Sequence, residues 1–367
     1  MGNFHDLADR LEARFAAGGA GPWSAAVFEE WALLVFRHQY EVCAPYRSLC
    51  DARGVTPETV ARWEDAPLVP ATGFKHFDFL SFEGVEVEAT FRTSGTTRGQ
   101  EVRGRHHVPR LSLYRAAALS PLEAALLPDG ERMRMVSLIP PPEAAPESSL
   151  SAMIGFAVEA RATSIDWLVD ANGDWGPDTS SVLSELADGD EPILLFGTAL
   201  SFVHALEREG RGGQGLPRLP EGSRVMETGG FKGARREVSR EELYRRVSER
   251  TGLPTHRIVN EYGMTELLSQ LWEPVLTEGD SASGVHVPAP WLRVRALDPI
   301  TLAPLPEGRE GILAFFDLAN LGSVAHVLTE DIGSVSEGRV RLRGRAAGAE
   351  PRGCSRAMDE LMSASAR

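Results

Sequence analysis

A chain of 367 residues, 43% of them hydrophobic, is long enough for a large α/β unit with one or two smaller appendages and can bury a sizeable core. Its 38 Lys and Arg against 52 Asp and Glu give a formal net charge of -14, which argues against a nucleic-acid backbone or an anionic membrane surface as the main partner. A small phosphate-bearing ligand remains compatible with that charge, because a local nest of N–H groups can hold it. Cys43, Cys50 and Cys354 cannot build a disulfide framework, and no Cys/His spacing has the form of a structural zinc site. The first residues lack a basic region followed by an apolar run, and the most apolar segment, 193–203, is too short to span a bilayer. The expectation is a cytoplasmic protein with neither membrane nor nucleic acid as partner.

Residues 3–17 read as an amphipathic helix with Phe4, Leu7, Leu11 and Phe15 on one side. A longer helix is predicted over 23–49, where Phe28, Trp31, Leu34 and Phe36 cover an apolar surface and Cys43 and Cys50 share a face as packing residues. A Pro/Gly-punctuated segment, 67–76, then leads to an alternation of apolar and acidic residues at 85–90 that reads as a strand. That strand runs into Thr93, Ser94, Gly95, Thr96, Thr97 and Gly99. Two readings of this stretch stand. It is a solvated turn, or it is a phosphate loop in which the glycines let consecutive N–H groups point inward and the hydroxyls add donors.

From residue 110 the pattern alternates. Helices are predicted at 110–127, 149–161, 180–187, 199–208 and 240–251, and strands at 132–139, 164–169, 192–196, 223–227 and 256–260. Such alternation implies a mainly parallel sheet with helices on its faces, and in such sheets ligands bind beyond the carboxyl ends of strands. Two polar, glycine-bearing stretches fall there: Gly229, Gly230, Phe231 and Lys232 after one strand, and Tyr262, Gly263, Thr265 and Glu266 after another. After residue 284 the helical pattern gives way to short strands at 291–297, 311–316 and 339–343, a small β subdomain.

Taken together, the stretches 93–97, 260–266, 329–331 and 344–345 occur in the order and approximate placing of the adenylate-forming enzyme superfamily. With Phe74, Lys75 and His76, the 229–233 stretch and the ending at 352–355, the chain resembles the LuxE-type acyl-protein synthetases of bacterial bioluminescence over about residues 65–356. The resemblance implies an α/β fold of the adenylate-forming N-terminal domain type, with mainly parallel sheets flanked by helices, a small β subdomain, and the usual mobile C-terminal domain truncated. The corresponding division is an N-terminal helical region at 1–84, a nucleotide-binding core at 85–283, the β subdomain at 284–345, and a tail at 346–367 carrying Cys354.

What the resemblance implies for chemistry is ATP-dependent, Mg²⁺-assisted activation of a carboxylic, typically fatty, acid as acyl-AMP, followed by transfer to a cysteine thioester. Thr93, Ser94, Gly95, Thr96, Thr97 and Gly99 would hold the β- and γ-phosphates, Thr265 the α-phosphate, and Glu266 the metal. Tyr262 would stack on adenine, with Gly229, Gly230 and Gly263 in the same nucleotide set; Asn260 would read the exocyclic amine, and Asp331 with Arg345 the ribose. His106, His107, Gly230 and Phe231 would face the acid. Cys354 would accept the acyl group, its anion favoured by Arg352 and Arg356, and an acyl-reductase or acyl-carrier partner would remove it. The loop lysine usual in the superfamily is replaced by residues 100–102, and Lys232 is one candidate substitute cation, with Arg98, Arg103 and Arg105 as others. Each residue also has a plain alternative: Tyr262 as core, Asp331 as a turn cap, Glu266 as a first-turn carboxylate, Lys232 as a solvated loop lysine, Cys354 as fortuitous. Two further functions stay open, a ligase that delivers the acyl group to coenzyme A or a carrier protein, and a nucleotide-binding scaffold that has lost catalysis.

Overall fold

The amphipathic start of the chain folds as α1 (Phe4–Ala16), which buries Phe4, Leu7, Leu11 and Phe15. Ser24 opens α2 (Ala25–Val42), its hydroxyl oxygen accepting the Val27 N–H. The single helix expected over 23–49 is two helices: Cys43 is extended (φ -81°, ψ 98°), and α3 (Ala44–Ala52) begins afresh with Pro45 in its first turn. Proline has no N–H to continue the ladder, and its ring collides with the preceding turn. Cys43 and Cys50 are both buried in the core, as the shared face implied. In this computed structural model the described residues are 4–18, 23–93, 103–208, 214–229, 238–345 and 352–365.

After the two-residue strand β1 (Val69–Pro70), β2 (Ala89–Arg92) and β3 (Arg105–Val108) pair antiparallel, with Arg92 opposite Arg105. The strand expected at 85–90 therefore starts at Ala89 and belongs to a separate two-stranded ribbon rather than to the main sheet. The alternation beyond it is realised as α4 (Leu111–Leu126), β4 (Met133–Ser137), α5 (Ser149–Arg161), β5 (Ala162–Trp167), α6 (Thr179–Asp188), β6 (Ile193–Thr198), α7 (Ala199–Glu207), β7 (Arg224–Thr228), α8 (Arg240–Thr251) and β8 (Ile258–Tyr262). The five strands lie parallel in the order β5-β4-β6-β7-β8. Two short strands extend the sheet antiparallel: β9 (Leu271–Trp272) beside β8 and, after the one-turn α9 (Val275–Glu278), β10 (Val287–Pro288).

Strand side chains alternate between two helical layers. In β6, Leu194 and Phe196 join the large core with α4 and α5, whereas Ile193 and Leu195 pack with residues of α6, α7 and α8. Each fully buried leucine or phenylalanine contributes about 1.5–3 kcal/mol relative to exposure, which is why a continuous apolar run such as 193–196 is stable only when covered on both faces.

The second sheet is built from β11 (Leu292–Leu297), β12 (Glu310–Asp317), β13 (His326–Ser336) and β14 (Arg339–Arg345), all antiparallel neighbours. β13 pairs along its first residues with β1, parallel, so the N-terminal region contributes a strand to this subdomain. One face of the sheet, with Leu313, Phe315 and Val327, belongs to the large core; the other, with Leu297, Ile312, Ala314 and Leu328, receives Cys354 and Ala357. The tail expected after residue 346 is helical from Arg352 to Ser365: α10 (Arg352–Ser365) buries Gly353, Cys354, Ala357, Leu361 and Ala364 along one stripe. No helix of the described residues is long and apolar enough to cross a membrane.

Candidate active site

The carboxyl end of β8 meets the small sheet at Tyr262. Its hydroxyl donates to Asp331 Oδ2 at 2.7 Å, and its ring stacks on Phe315 with centroids 5.8 Å apart and planes 21° from parallel. Burial, reinforced by the Asp331 carboxylate, pushes the phenol well above its ordinary range, so it remains a donor. Arg345, opposite Asp331 in the β13–β14 register, places Nε 3.4 Å from Asp331 Oδ1 and Nη1 3.8 Å from Glu330 Oε2. The structure thus sets an aromatic ring against a carboxylate 69 residues further along the chain, with the guanidinium of the next strand beside it.

The turn between β8 and β9 is held from three sides. His106 is buried, and its Nδ1 lies 2.7 Å from the Thr265 carbonyl oxygen; a carbonyl only accepts, so Nδ1 carries the proton. Burial lowers this imidazole to about 4, and it is neutral at pH 7. Asn320 Nδ2 donates to the Glu266 carbonyl at 2.8 Å. Asp317 accepts the N–H groups of Leu268 and Ser269 at 3.0 and 2.9 Å and the Ser269 hydroxyl at 2.7 Å. Gly263 sits against the Glu261 carboxylate, where a Cβ would collide with Oε1. Glu261 in turn accepts from the Thr228 hydroxyl, and burial pushes its carboxyl up to about 7.

The remaining expected residues distribute as follows. Thr93 anchors the stem of the hydroxyl-rich stretch: its Oγ1 accepts the Gly104 N–H at 2.9 Å and its carbonyl accepts Arg103 Nε at 2.7 Å. Ser94, Gly95, Thr96, Thr97, Gly99, Gly230, Phe231 and Lys232 lie outside the described residues. Gly229 follows β7 in an exposed, left-handed conformation with φ +80°. Asn260 does not present its amide to a ligand: Nδ2 donates to Glu227 Oε2 at 2.6 Å, and Oδ1 accepts from His286 Nε2 at 2.7 Å. Among the described residues, His107 pairs with Asp78 at 2.8 Å and with His106 lines a crevice of about 10 Å³, no larger than one water. Their strand alternation turns one ring inward under Thr265 and the other outward.

Cys354 lies in the first turn of α10, buried, with Sγ donating to the Thr329 carbonyl at 3.3 Å. It packs on the face of the small sheet opposite Phe315, so β13 stands between the thiol and Tyr262. Arg352 is exposed, and Arg356 reaches the Thr301 carbonyl at 3.4 Å and Glu360 at 4.0 Å.

Sequence reading missed a second polar cluster behind β8. Glu227 accepts from the Tyr244 hydroxyl at 3.0 Å as well as from Asn260, and burial pushes it up to about 7. Glu273, with its side chain fully buried, takes Arg240 Nη2 at 2.5 Å and the Gly284 N–H at 2.5 Å. The available signal was a carboxylate inside an apolar strand, at Glu227 and at Asp317. Among the described residues no group of three or more His, Cys, Asp or Glu is placed to cage a metal.

The sequence matches the family described as acyl-protein synthetase, LuxE, over residues 23–363. The long-chain-fatty-acid–luciferin-component ligase of Vibrio harveyi is 25% identical over 316 residues, 82% of this chain and 77% of that protein. An open conformation of 2-hydroxyisobutyryl-CoA ligase, in complex with 2-HIB-AMP and CoA, is similar in fold with a TM-score of 0.62 at 16% identity, covering 87% of this chain and 74% of that one. ATP-bound MatB from Rhodopseudomonas palustris, 18% identical with a TM-score of 0.48, is matched over 73% of this chain, which spans 50% of that protein's length.

Proposed function

This chain belongs to the acyl-protein synthetase, LuxE, family, and on that premise we propose that it condenses a fatty carboxylate with ATP to acyl-AMP and then moves the acyl group to Cys354. The observation that supports this most is the meeting of Asp331 and Arg345 with Tyr262, which ends β8 just before the turn bearing Thr265 and Glu266. A ring beside a carboxylate and a guanidinium suits a nucleoside, with Asp331 free to accept ribose hydroxyls once Tyr262 yields its hydrogen bond. Glu266 is the residue offered to Mg²⁺, whose contribution is to neutralise phosphate charge. The fatty nature of the acid rests on the name of the Vibrio harveyi relative.

In the first half-reaction a carboxylate oxygen bonds to the α-phosphorus as the bond to pyrophosphate breaks. In the second, sulfur bonds to the acyl carbon, the carbon–oxygen bond to AMP breaks, and the thiol proton passes to solvent. Fixed loop donors favour both steps by positioning reactants, the role for which His106, Asn320 and Asp317 hold the turn. The thiol now donates to Thr329 behind β13, so loading requires the first turn of α10 to release it. An acyl-reductase or acyl-carrier partner would then receive the thioester.

That burial also favours a second reading, delivery of the adenylate to an external thiol such as coenzyme A. Intact-protein mass spectrometry after incubation with ATP, Mg²⁺ and a fatty acid series separates the two. Self-loading gives a hydroxylamine-labile acyl mass that Cys354→Ser abolishes while pyrophosphate exchange persists. Exchange without any adduct, joined by acyl-CoA formation, overturns self-loading.

A further inference from the structure

On the face of the small sheet away from Tyr262, α3, the segment 62–68, the turn 301–304 and α10 surround a cavity of about 990 Å³. Its size lies at the top of the range of small-molecule sites, about 300–1,000 Å³. Leu68, Leu302 and Ala357 line this cavity, and the same three residues pack in the cluster that holds Cys354. The thiol and the cavity therefore share these apolar neighbours. Leu302 is its least comfortable member: its backbone has φ 61°, a left-handed conformation that a residue with a Cβ adopts at a cost. Its side chain lies against Gly353, where a Cβ would meet Leu302 Cδ2 at 2.6 Å. Of the charged residues that line the cavity, Arg53 pairs with Glu360 and Arg62 with Glu64, both at 2.6 Å, while Arg295 donates to the Glu64 carbonyl at 3.2 Å; the aliphatic stems of these side chains are the surface offered to an apolar guest.

We propose that this cavity receives the acyl chain carried by Cys354, with Leu302 the side chain that moves aside. The inference rests on the reading that Cys354 is acylated and goes beyond it by giving the chain a place. A long hydrocarbon on an exposed thiol would stay in water, whereas each methylene drawn into the cavity adds to the force holding the thioester inside. The thioester carbonyl is thereby kept from water and other nucleophiles until a partner draws it out.

The test loads the full chain with synthetic butanoyl- or tetradecanoyl-adenylate, quantifies the adduct by intact mass, and follows release by hydroxylamine. Wild type is compared with Val55→Trp and Ser363→Trp, two substitutions that fill the cavity from α3's trailing turn and from the exposed side of α10. In wild type, tetradecanoyl release should be at least tenfold slower than butanoyl release. In both variants that ratio should fall below about threefold with butanoyl release unchanged. Equal release of the two chains from wild type, or a chain-length difference that survives both substitutions, overturns the inference while leaving Cys354 as the acceptor. No adduct at Cys354 from either adenylate removes the acceptor reading and this inference with it.

Discussion

Replacing Asp317 by alanine tests whether the turn bearing Thr265 and Glu266 is held as the geometry indicates. The carboxylate is fully buried and accepts from Leu268 N–H, Ser269 N–H, the Ser269 hydroxyl and Ala319 N–H, at 3.0, 2.9, 2.7 and 2.9 Å. In Asp317→Ala the Leu268 N–H keeps Asn320 Oδ1 at 3.1 Å, but the N–H groups of Ser269 and Ala319 and the Ser269 hydroxyl lose their partner in a dry interior. A buried orphan of this kind costs about 1–3 kcal/mol, giving about 3–9 kcal/mol for the three. Removing a buried charge returns part of that, since burial already raises this carboxyl's pKa, so the net loss expected is about 3 kcal/mol. Asp317→Asn, which retains one acceptor oxygen but turns an NH₂ toward the donors, should fall between alanine and wild type. Urea unfolding at pH 7 gives the stability, and pyrophosphate exchange at low urea reports the turn, with a rate at least tenfold lower than wild type. A loss under about 1 kcal/mol with an unchanged m-value and normal exchange would show that the turn stands without Asp317 and that this account of its support is wrong.

Three other outcomes follow from the same structure. Burial lowers His106 to about 4 and His286 and His326 to about 3, so the unfolded chain takes up protons that the folded one refuses as pH falls from 6.5 toward 4, and stability falls with it. Burial raises Glu227 and Glu261 to about 7, which has the opposite sign: their contribution is present at low pH and is lost as pH rises from about 4.5 through 7. With three groups against two, and larger shifts on His286 and His326, the urea midpoint should peak near pH 6 to 7 and drop on acidification; a midpoint rising steadily from pH 6.5 to 4 contradicts these assignments. Gly263→Ala puts a methyl onto the Glu261 carboxylate and should cost about 1–3 kcal/mol by overpacking, seen as a lower urea midpoint, while slowing adenylation. Tyr262→Phe keeps the stack on Phe315 and loses the bond to Asp331, so stability should change by no more than about 1.5 kcal/mol; a larger drop in thermal unfolding would mean the hydroxyl has a structural role beyond this bond.

How far the residues spoke for themselves depends on the range of the interaction. The strand–helix alternation from 110 to 262 was legible because each element declares its buried face within a few residues, and the parallel sheet follows from that order. The break at Pro45 has a local cause too, the proline itself, set within an apolar run that continues the helical pattern on both sides. The motif around Tyr262 was legible as a motif, and the structure sets its hydroxyl on Asp331 with Arg345 alongside.

Other assignments turn on partners that no local pattern names. Asn260 in β8 and Thr265 in the turn that follows are five residues apart, yet one is tied to Glu227 and His286 and the other to His106, 159 residues away. Cys354 gave no sign in the sequence of which side of β13 it occupies, because a helix's stripe predicts burial but not the sheet face that buries it. The sequence by itself determined the order and periodicity of elements and the chemical types available at the strand ends, since those depend on neighbours along the chain. Only the tertiary structure decided which polar groups satisfy one another, that α10 docks beside a cavity, and that the thiol lies behind the strand bearing Asp331, since buried donors and acceptors must be paired by whatever the fold brings within reach.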